Sequence, residues 1–317
     1  MSRIGILGAG AFGTGLAVAL ADRADVVLWA RDPAHAEALT TRRENARRLP
    51  GTRLPARVMA TADLGDLATV GAVLMVLPAQ TTAEFLARHG PDLPPVPLVL
   101  CAKGLSRDGE KMQSEVAAGH GPLAVLTGPG FAGEIAAGKP TALTLAGPDG
   151  LARDLQVMLA RRHLRLYRSS DMIGAQLGGA LKNVIAIAAG IAVGAGLGES
   201  ARAAVMTRGF AEMRRLAAAL GARDETLAGL SGFGDLALTC GSEKSRNFAH
   251  GVALGAGAPP RDVTVEGTAT ARAATRLAMR AAVEMPIAEA VADVLDGGCD
   301  VVAAMSRLLD RPQGKEE

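Results

Sequence analysis

Aromatic residues make up only 3% of this 317-residue chain, and Trp29 and Tyr167 are the single examples of their types. Nucleic-acid modules that stack bases on aromatic rings need more such side chains, so the composition argues against that class of protein. Hydrophobic residues nevertheless account for 49% of the chain. We therefore expect a globular protein whose core is packed mainly by Ala, Val, Leu, Ile and Met.

Cysteine is also scarce. The three cysteines, Cys101, Cys240 and Cys299, are odd in number and lack the Cys-x-x-Cys spacing of zinc and redox sites. We expect buried thiols in a reducing compartment, with neither a disulfide framework nor a metal site. The histidines occur in no motif, and we expect surface or loop positions for all of them: His35, His89, His120, His163 and His250.

Neither positive nor negative charge dominates, because 34 basic and 32 acidic residues give a net charge of +2. This balance argues against a surface for binding polyanions. The densest basic stretch runs from Arg42 to Arg48 and is more typical of a solvated helix face than of a nucleic-acid patch.

Long hydrophobic runs are missing. The apolar segment from Val184 to Gly198 has fifteen residues with four glycines, whereas a bilayer-spanning helix needs ~20 residues. The N-terminal apolar stretch is broken by glycines and preceded only by Arg3, which disfavours a signal peptide. We expect a cytoplasmic protein with a buried helix after Val184 and no membrane span.

The first half of the chain alternates short β-branched runs with segments of helical spacing, which predicts βαβ units and a parallel sheet. The predicted strands are Arg3–Gly8, Val26–Trp29, Val73–Leu77, Leu98–Cys101, Leu123–Leu126, Thr141–Leu145 and Leu164–Tyr167. The predicted helices between them are Ala11–Asp22, Pro33–Arg47, Thr81–Arg88, Glu110–Ala118 and Gly150–Arg161.

After Arg168 the pattern becomes helical throughout. The predicted helices are Met172–Gly190, Ala201–Leu220, Ser245–Leu254, Ala269–Ala282, Ile287–Leu295 and Val301–Leu309. We therefore predict a Rossmann-like, doubly wound α/β domain over residues 1–168, followed by an all-α domain over residues 169–317. A ligand site between the two is the default expectation.

A glycine-rich turn joins the first predicted strand to the first helix. Gly8 is expected to make the tight turn, Gly10 to admit a pyrophosphate, and Gly13 to let helix and strand pack closely. The Gly-x-Gly-x-x-Gly spacing is weak evidence alone, but its position between strand and helix is the context a dinucleotide site requires. The alternative is a glycine-rich loop without a ligand.

The next strand is followed by Ala30, Arg31 and Asp32, which bear on the choice of cofactor. A carboxylate near this point accepts hydrogen bonds from the ribose hydroxyls of NAD, whereas an Arg can hold the 2′-phosphate of NADP. Both readings stay open, with a mild preference for NADPH because Arg31 comes first.

Lys182 is the candidate for acid–base chemistry. It stands between the glycines Gly178 and Gly179 and the apolar run from Val184, so we expect an ammonium at the head of a helix, partly desolvated and with a lowered pKa. A lysine that extends its ammonium to solvent is an equally good interpretation from the sequence.

Further polar candidates follow it. Asp235 ends the glycine-rich segment from Ser231, predicted as a rigid turn, and could orient Lys182, bind a substrate hydroxyl or cap a helix. Ser245, Arg246 and Asn247 begin a predicted helix and suit a phosphate, although they also fit an ordinary capped helix.

Two candidates follow strands. Lys103 and Gly128 come after the strands from Leu98 and Leu123, where the carboxyl ends of a doubly wound sheet place ligand contacts. The alternative for Lys103 is an exposed loop lysine.

Together these motifs resemble the bacterial NAD(P)-dependent glycerol-3-phosphate dehydrogenase family from Ile4 to about residue 310. The matching segments are GAGAFGTGLA from Gly8, VVLWARDP, CAKGL, GPGFAGEIAAGKPTA from Gly128, LGGALKNVIAIAAG from Leu177, TRGFAEM from Thr207, GFGDLALTC from Gly232, SRN from Ser245, VEG from Val265 and EMPI from Glu284. Ten ordered segments are far more specific than any single motif. The resemblance implies interconversion of dihydroxyacetone phosphate and sn-glycerol 3-phosphate with NAD(P)H, and the homodimeric state is taken from it.

The resemblance also implies roles for matching positions. Lys182 would exchange the proton with the substrate oxygen, with Asp235 beside it. The implied substrate contacts are Lys103, Gly128, Lys182, Asp235, Ser245, Arg246 and Asn247. The implied cofactor contacts are the glycines Gly8, Gly10 and Gly13 together with Ala11, Phe12, Arg31, Lys103, Ala132, Arg246 and Glu266.

Two positions depart from the family pattern. Gly130 stands where the family usually has Ser or Thr, and Phe248 stands where it tends to have Arg. We expect fewer donors around the substrate, and weaker binding by roughly 1–3 kcal/mol for each lost contact. Three rival functions remain at this point, namely a reductase for another hydroxy acid, a non-enzymatic NADPH sensor and a membrane-anchored protein.

Overall fold

A computed structural model of the chain describes residues 3–106, 111–259 and 265–309. Its first half builds one eight-stranded sheet in the order β3-β2-β1-β4-β5-β6-β7-β8. The strands are β1 (Arg3–Leu7), β2 (Asp25–Trp29), β3 (Val58–Thr61), β4 (Ala72–Met75), β5 (Leu98–Leu100), β6 (Leu123–Thr127), β7 (Thr141–Ala146) and β8 (Leu164–Ser169).

Both faces of this sheet are buried, as a doubly wound fold requires. Ile4 and Ile6 of β1 pack into one core together with Leu16 of the first helix, whereas Leu7 joins a second core with Leu86. Covered faces explain why the strands read as continuous apolar runs in the sequence. The predicted Rossmann-like sheet is confirmed.

One strand was missed. β3 has only four residues, and it pairs with β2 alone at the edge of the sheet, with Met59 exposed. A short edge strand buries too little side-chain surface to show the apolar run by which the other strands were recognised.

The expectation of a parallel sheet is wrong at one junction, because β7 runs antiparallel to β6. The chain leaves β6 into the short helix α5 (Ala132–Ala136), which packs against the first helix. After α5 the chain re-enters the sheet from the same end, which makes β7 antiparallel to β6.

The remaining helices of the first half are α1 (Ala11–Leu20), α2 (Pro33–Arg42), α3 (Thr82–His89), α4 (Gln113–Val116) and α6 (Asp149–Leu159). α2 ends five residues earlier than predicted, since Arg43 adopts a left-handed conformation with φ of 52° and donates to the carbonyl oxygen of Val58. The predicted start of α4 at Glu110 lies outside the described residues.

The second half is helical, as predicted. Its helices are α7 (Met172–Gly194), α8 (Gly198–Ala219), α9 (Asp224–Ala228), α10 (Asp235–Cys240), α11 (Arg246–Gly255), α12 (Glu266–Arg280), α13 (Pro286–Leu295) and α14 (Val301–Leu309). The short helices α9 and α10 were not predicted, because five or six residues carry too little periodicity to be recognised.

α7 is the central element of this half. Among the described residues it alone is long and apolar enough to cross a membrane, but 89% of its most apolar window is buried within the protein. α11 crosses it closely, since a Cβ on Gly190 would lie 2.2 Å from the carbonyl oxygen of Phe248. The absence of a side chain at Gly190 therefore lets the start of α11 lie directly against the C-terminal part of α7.

Two expectations about single residues need correction. Cys101 and Cys240 are buried as predicted, but Cys299 is half-buried beside Arg307. His250 is buried rather than superficial, because it lies on the face of α11 that packs into the helical core. Burial lowers the pKa of His250.

Candidate active site

Four of the predicted site residues meet at the carboxyl edge of the sheet. Lys103 follows β5, Gly128 follows β6, Lys182 lies in the middle of α7, and Asp235 is the first residue of α10. The fold therefore brings together residues from both halves of the chain, which are up to 132 positions apart.

Asp235 lies between two lysines. Its Oδ1 is 3.2 Å from Nζ of Lys182, and its Oδ2 accepts a hydrogen bond of 2.7 Å from Nζ of Lys103. Lys103 also donates to the carbonyl oxygen of Gly128 at 2.8 Å. With Asp235 only 1% exposed, one carboxylate fixes both ammonium groups in a nearly dry cluster.

Thr239 completes this cluster, and sequence reasoning missed it. Nζ of Lys182 donates to its hydroxyl at 2.7 Å, and the hydroxyl donates to Oδ1 of Asp235 at 3.3 Å. The signal that could have found it is its spacing, since a residue four positions after Asp235 lies on the same face of a helix.

Lys182 is 6% exposed, not at the head of its helix as predicted, but well inside it. Burial lowers the pKa of its ammonium, the neighbouring carboxylate of Asp235 partly opposes this, and Lys103 adds to the lowering. The group is therefore held closer to the range in which an amine can both give and take a proton.

Paired glycines let α7 approach its neighbours. A Cβ on Gly178 would lie 2.6 Å from the carbonyl oxygen of Ser231, and one on Gly179 would lie 2.5 Å from Oγ1 of Thr127. The segment before Asp235 is not the predicted turn but a π-helical turn, Leu230–Gly234, of a kind common at functional sites. The helix cap is Gly234, so Asp235 remains available to the lysines.

The glycine-rich turn has the geometry of a dinucleotide loop. Gly8 has φ of 116°, and a Cβ on Gly13 would lie 2.0 Å from the carbonyl oxygen of Gly8. Around Gly10 a Cβ would meet nothing within 4 Å, which leaves room for a ligand to reach the backbone. No side chain caps α1 and its first turn has no acidic residue, so its N–H groups suit an anion such as a pyrophosphate.

The first turn of α1 also reaches the lysine cluster. Nζ of Lys103 is 5.9 Å from the ring centroid of Phe12, the residue after Ala11. On the other side, a Cβ on Gly15 would lie 2.7 Å from the carbonyl oxygen of Ala132, so α1 and the start of α5 converge. Phe12, Lys103 and Ala132, three of the predicted cofactor residues, therefore lie around the start of α1.

Arg31 and Asp32, which follow β2 and are the two candidates for recognising the adenosine ribose of the cofactor, differ in their contacts. Asp32 caps α2 by accepting from the backbone N–H of Ala34 at 3.1 Å, whereas Arg31 is exposed. Arg31 lies outside the lysine cluster, as an adenosine-side residue should.

The predicted phosphate residues lie at the start of α11. Ser245 caps the helix by accepting from the N–H of Phe248 at 3.2 Å, and Arg246 is exposed in its first turn. Asn247 bonds to Asn183, the neighbour of Lys182 on α7. Glu266 begins α12 and accepts from the N–H of Ala79 beyond β4.

The two departures from the family pattern have structural counterparts. Phe248 is 5% exposed and packs into the helical core. At Gly130 a Cβ would lie 3.1 Å from Cδ1 of Ile135, so that position is tight. The expected effect of the missing donor at position 248 stays a prediction.

A dinucleotide-type loop, a doubly wound sheet and a buried lysine–carboxylate cluster against a helical second half define a two-domain dehydrogenase of the Rossmann type. Sequence profiles agree. One described as the NAD-dependent glycerol-3-phosphate dehydrogenase N-terminus matches residues 3–151, and one described as the C-terminus matches residues 171–306. The chain belongs to the NAD-dependent glycerol-3-phosphate dehydrogenase family.

Individual relatives agree with this assignment. Glycerol-3-phosphate dehydrogenases (NAD(P)+) from Paracoccus denitrificans and a Ruegeria species are 53% and 50% identical to this chain, over 99% of each sequence. The crystal structure of glycerol-3-phosphate dehydrogenase from Coxiella burnetii superposes with a TM-score of 0.93 at 37% identity, covering 98% of this chain and 99% of that one.

Proposed function

We propose that this protein reduces dihydroxyacetone phosphate to sn-glycerol 3-phosphate, and catalyses the reverse oxidation, with Lys182 as the proton donor and acceptor. As a member of its family, the chain is an oxidoreductase that uses NAD or NADP. We also propose that its product serves glycerophospholipid synthesis. The observation that carries the assignment of Lys182 is its buried ammonium, held between Asp235 and Thr239.

The chemistry follows from charge. When bound, the nicotinamide cofactor supplies or accepts the hydride at the carbonyl carbon. During reduction, negative charge develops on the carbonyl oxygen, and the ammonium of Lys182 stabilises that charge and gives the oxygen a proton. Asp235 fixes the direction of this ammonium, and Lys103 adds a second positive charge.

The same proposal assigns the binding residues. Gly8, Gly10 and Gly13, with the first-turn residues Ala11 and Phe12, would hold the pyrophosphate side of the cofactor. The other proposed cofactor contacts are Arg31, Lys103, Ala132, Arg246 and Glu266. The proposed substrate contacts are Lys103, Gly128, Lys182, Asp235, Ser245, Arg246 and Asn247.

We further propose a preference for NADPH, cytoplasmic location, a homodimer, and domains divided at residues 168 and 169. The exposed guanidinium of Arg31 supports the cofactor preference, because Asp32 is engaged as a helix cap. Parallel assays of dihydroxyacetone phosphate reduction with NADH and with NADPH test both the activity and the cofactor preference. Light scattering tests the homodimer, and cell fractionation tests the cytoplasmic location. Equal kcat/KM with the two cofactors would contradict the preference.

Lys182→Ala should lower kcat by about 10²- to 10⁴-fold, since general acid catalysis contributes that much. Binding of NADPH, measured by its fluorescence, should be nearly unchanged. Near-normal turnover in this variant would remove Lys182 from the mechanism while leaving the activity itself intact.

Arg246→Ala should raise the KM for dihydroxyacetone phosphate by about 10- to 100-fold, as expected for loss of a charge-assisted hydrogen bond. The matched comparison is unphosphorylated dihydroxyacetone, for which kcat/KM should change far less. Equal effects on the two substrates would refute the phosphate role.

A further inference from the structure

Two asparagine side chains connect the start of α12 to the lysine cluster. The backbone N–H of Gly267 donates to Oδ1 of Asn247 at 2.9 Å, and Nδ2 of Asn247 donates to Oδ1 of Asn183 at 2.8 Å. Nδ2 of Asn183 then donates to the backbone carbonyl of Lys103 at 2.9 Å. Both ends of each amide are engaged, so each amide is fixed in one orientation.

The start of α12 is packed tightly where these bonds begin. A Cβ on Gly267 would lie 2.7 Å from Oδ1 of Asn247 and 2.8 Å from the carbonyl oxygen of Asn183. α12 can therefore approach α7 only because residue 267 has no side chain. A displacement of the first turn of α12 would therefore displace both asparagines.

The beginning of α12 also contacts the segments that follow β4 and β5. Oε1 of Glu266 accepts from the N–H of Ala79, 3.3 Å away in the loop after β4. A Cβ on Gly104, next to Lys103, would lie 3.3 Å from Oγ1 of Thr270. The first turn of α12 thus lies between the carboxyl edge of the sheet and the amide pair.

We propose that Asn183 and Asn247 form an amide relay that couples cofactor binding at the start of α12 to substrate binding at the lysine cluster. They act as positioning residues: the relay fixes the backbone of Lys103, whose ammonium holds Asp235. This inference rests on the proposed function, because Glu266 is a proposed cofactor contact and Lys103 a proposed substrate contact.

Burial makes the relay sensitive to a single change. Asn183 is 2% exposed, so a lost partner leaves a buried amide unsatisfied, which costs more than a lost surface hydrogen bond. The contact of Asn247 with the substrate proposed above would by itself affect only substrate binding, whereas the relay also affects cofactor binding. The two roles can therefore be separated by measuring the cofactor without substrate.

The experiment measures the Kd of NADPH by nicotinamide fluorescence, with and without saturating sn-glycerol 3-phosphate. In the unmodified protein, substrate should tighten NADPH binding by about fivefold or more. In Asn247→Leu, the Kd of NADPH without substrate should rise about tenfold, and the substrate should no longer change it. Gly267→Ala should do the same without altering any polar group.

Thr268→Ala is the matched control, since it removes a side-chain hydrogen bond to the carbonyl oxygen of Val265 from the same first turn of α12 and leaves the relay intact. Its Kd for NADPH without substrate should stay unchanged. If Asn247→Leu gives no folded protein, Asn247→Ser carries the same expectations.

The relay is overturned if Asn247→Leu raises only the KM for dihydroxyacetone phosphate while the Kd of NADPH and its response to substrate persist. It is equally overturned if the unmodified protein shows no coupling. Failure of the proposed function would look different: no reduction of dihydroxyacetone phosphate by the unmodified protein, with NADPH binding and its dependence on Asn247 still measurable.

Discussion

At the scale of residues, the site depends on one carboxylate that faces two ammonium groups. Asp235 bonds to Lys103 through one oxygen and lies 3.2 Å from Lys182 through the other. Two positive charges and one negative charge in a buried cluster leave an excess positive charge beside the proposed substrate oxygen. Such an arrangement suits a reaction in which that oxygen gains electrons.

The lowered pKa of Lys182 gives the two directions of the reaction opposite pH profiles. Burial lowers this pKa below its ordinary value of 10.5. Reduction needs the protonated amine, so its kcat/KM should fall as pH rises through the lowered pKa. Oxidation needs the neutral amine, so its kcat/KM should rise over the same interval. Initial rates in both directions from pH 6 to pH 10.5 measure this.

Lys182→Arg serves as the control for that profile, because a guanidinium stays protonated throughout the interval. Its residual reductive activity should lack the alkaline decline. A decline that persists in this variant would assign the titration to another group.

At the scale of elements, a buried acid joins two helices of the second half. Glu212 of α8 is 2% exposed and accepts from the backbone N–H groups of Ile287 and Ala288 at the start of α13. These bonds satisfy donors that a helix start leaves without partners. Burial outweighs them and raises the pKa of Glu212 to about 7.

This raised pKa predicts a pH-dependent stability. Between the unfolded pKa of 4.5 and the folded value of about 7, the native state binds more protons than the unfolded state. The free energy of unfolding should therefore fall as pH rises through this interval, by up to about 3 kcal/mol from this group. Denaturant unfolding at pH 5 and pH 8 measures the change.

Glu212→Gln keeps an acceptor for α13 and cannot ionise. Its free energy of unfolding should show a smaller decrease from pH 5 to pH 8 than that of the unmodified protein. Parallel profiles for the two proteins would exclude Glu212 as the titrating group.

At the scale of the whole molecule, the two halves of the chain also meet at an ion pair between α5 and the segment before α11. Nζ of Lys244, just before α11, is 2.9 Å from Oε1 of Glu134 on α5 and 5.8 Å from the ring centroid of Phe131. This contact joins the proposed phosphate residues to the helix that begins at Ala132. This ion pair is partly exposed, so its contribution to the stability of the protein is small.

Lys244→Ala should raise the KM for dihydroxyacetone phosphate by about two- to fivefold with kcat retained, in keeping with an exposed ion pair. The increase should shrink at high salt, where the pair in the unmodified protein is already screened. Exchange of the charges, Lys244→Glu with Glu134→Lys, should recover part of the loss. No recovery, together with salt independence, would argue that Lys244 acts without Glu134.

Much of the fold could be predicted because its signals are local. The apolar strands and the long helices α7 and α8 carry enough periodicity to be recognised, and the glycine spacing from Gly8 has one well-known structural context. The prediction of an NAD- or NADP-dependent dehydrogenase of this family is confirmed by the matches along the whole chain. The signals that failed were short or non-local, such as β3 and the antiparallel return into β7.

By itself the sequence determined the periodicity of its elements, the glycine positions and the residue types able to move a proton or hold a phosphate. Only the tertiary structure decided that Lys182 is buried rather than solvated, that Asp235 faces two lysines, and that Thr239 and Asn183 join them. The physical reason is that desolvation and hydrogen bonding depend on which distant segments meet, and no local spacing specifies the contact of β5, α7 and α10.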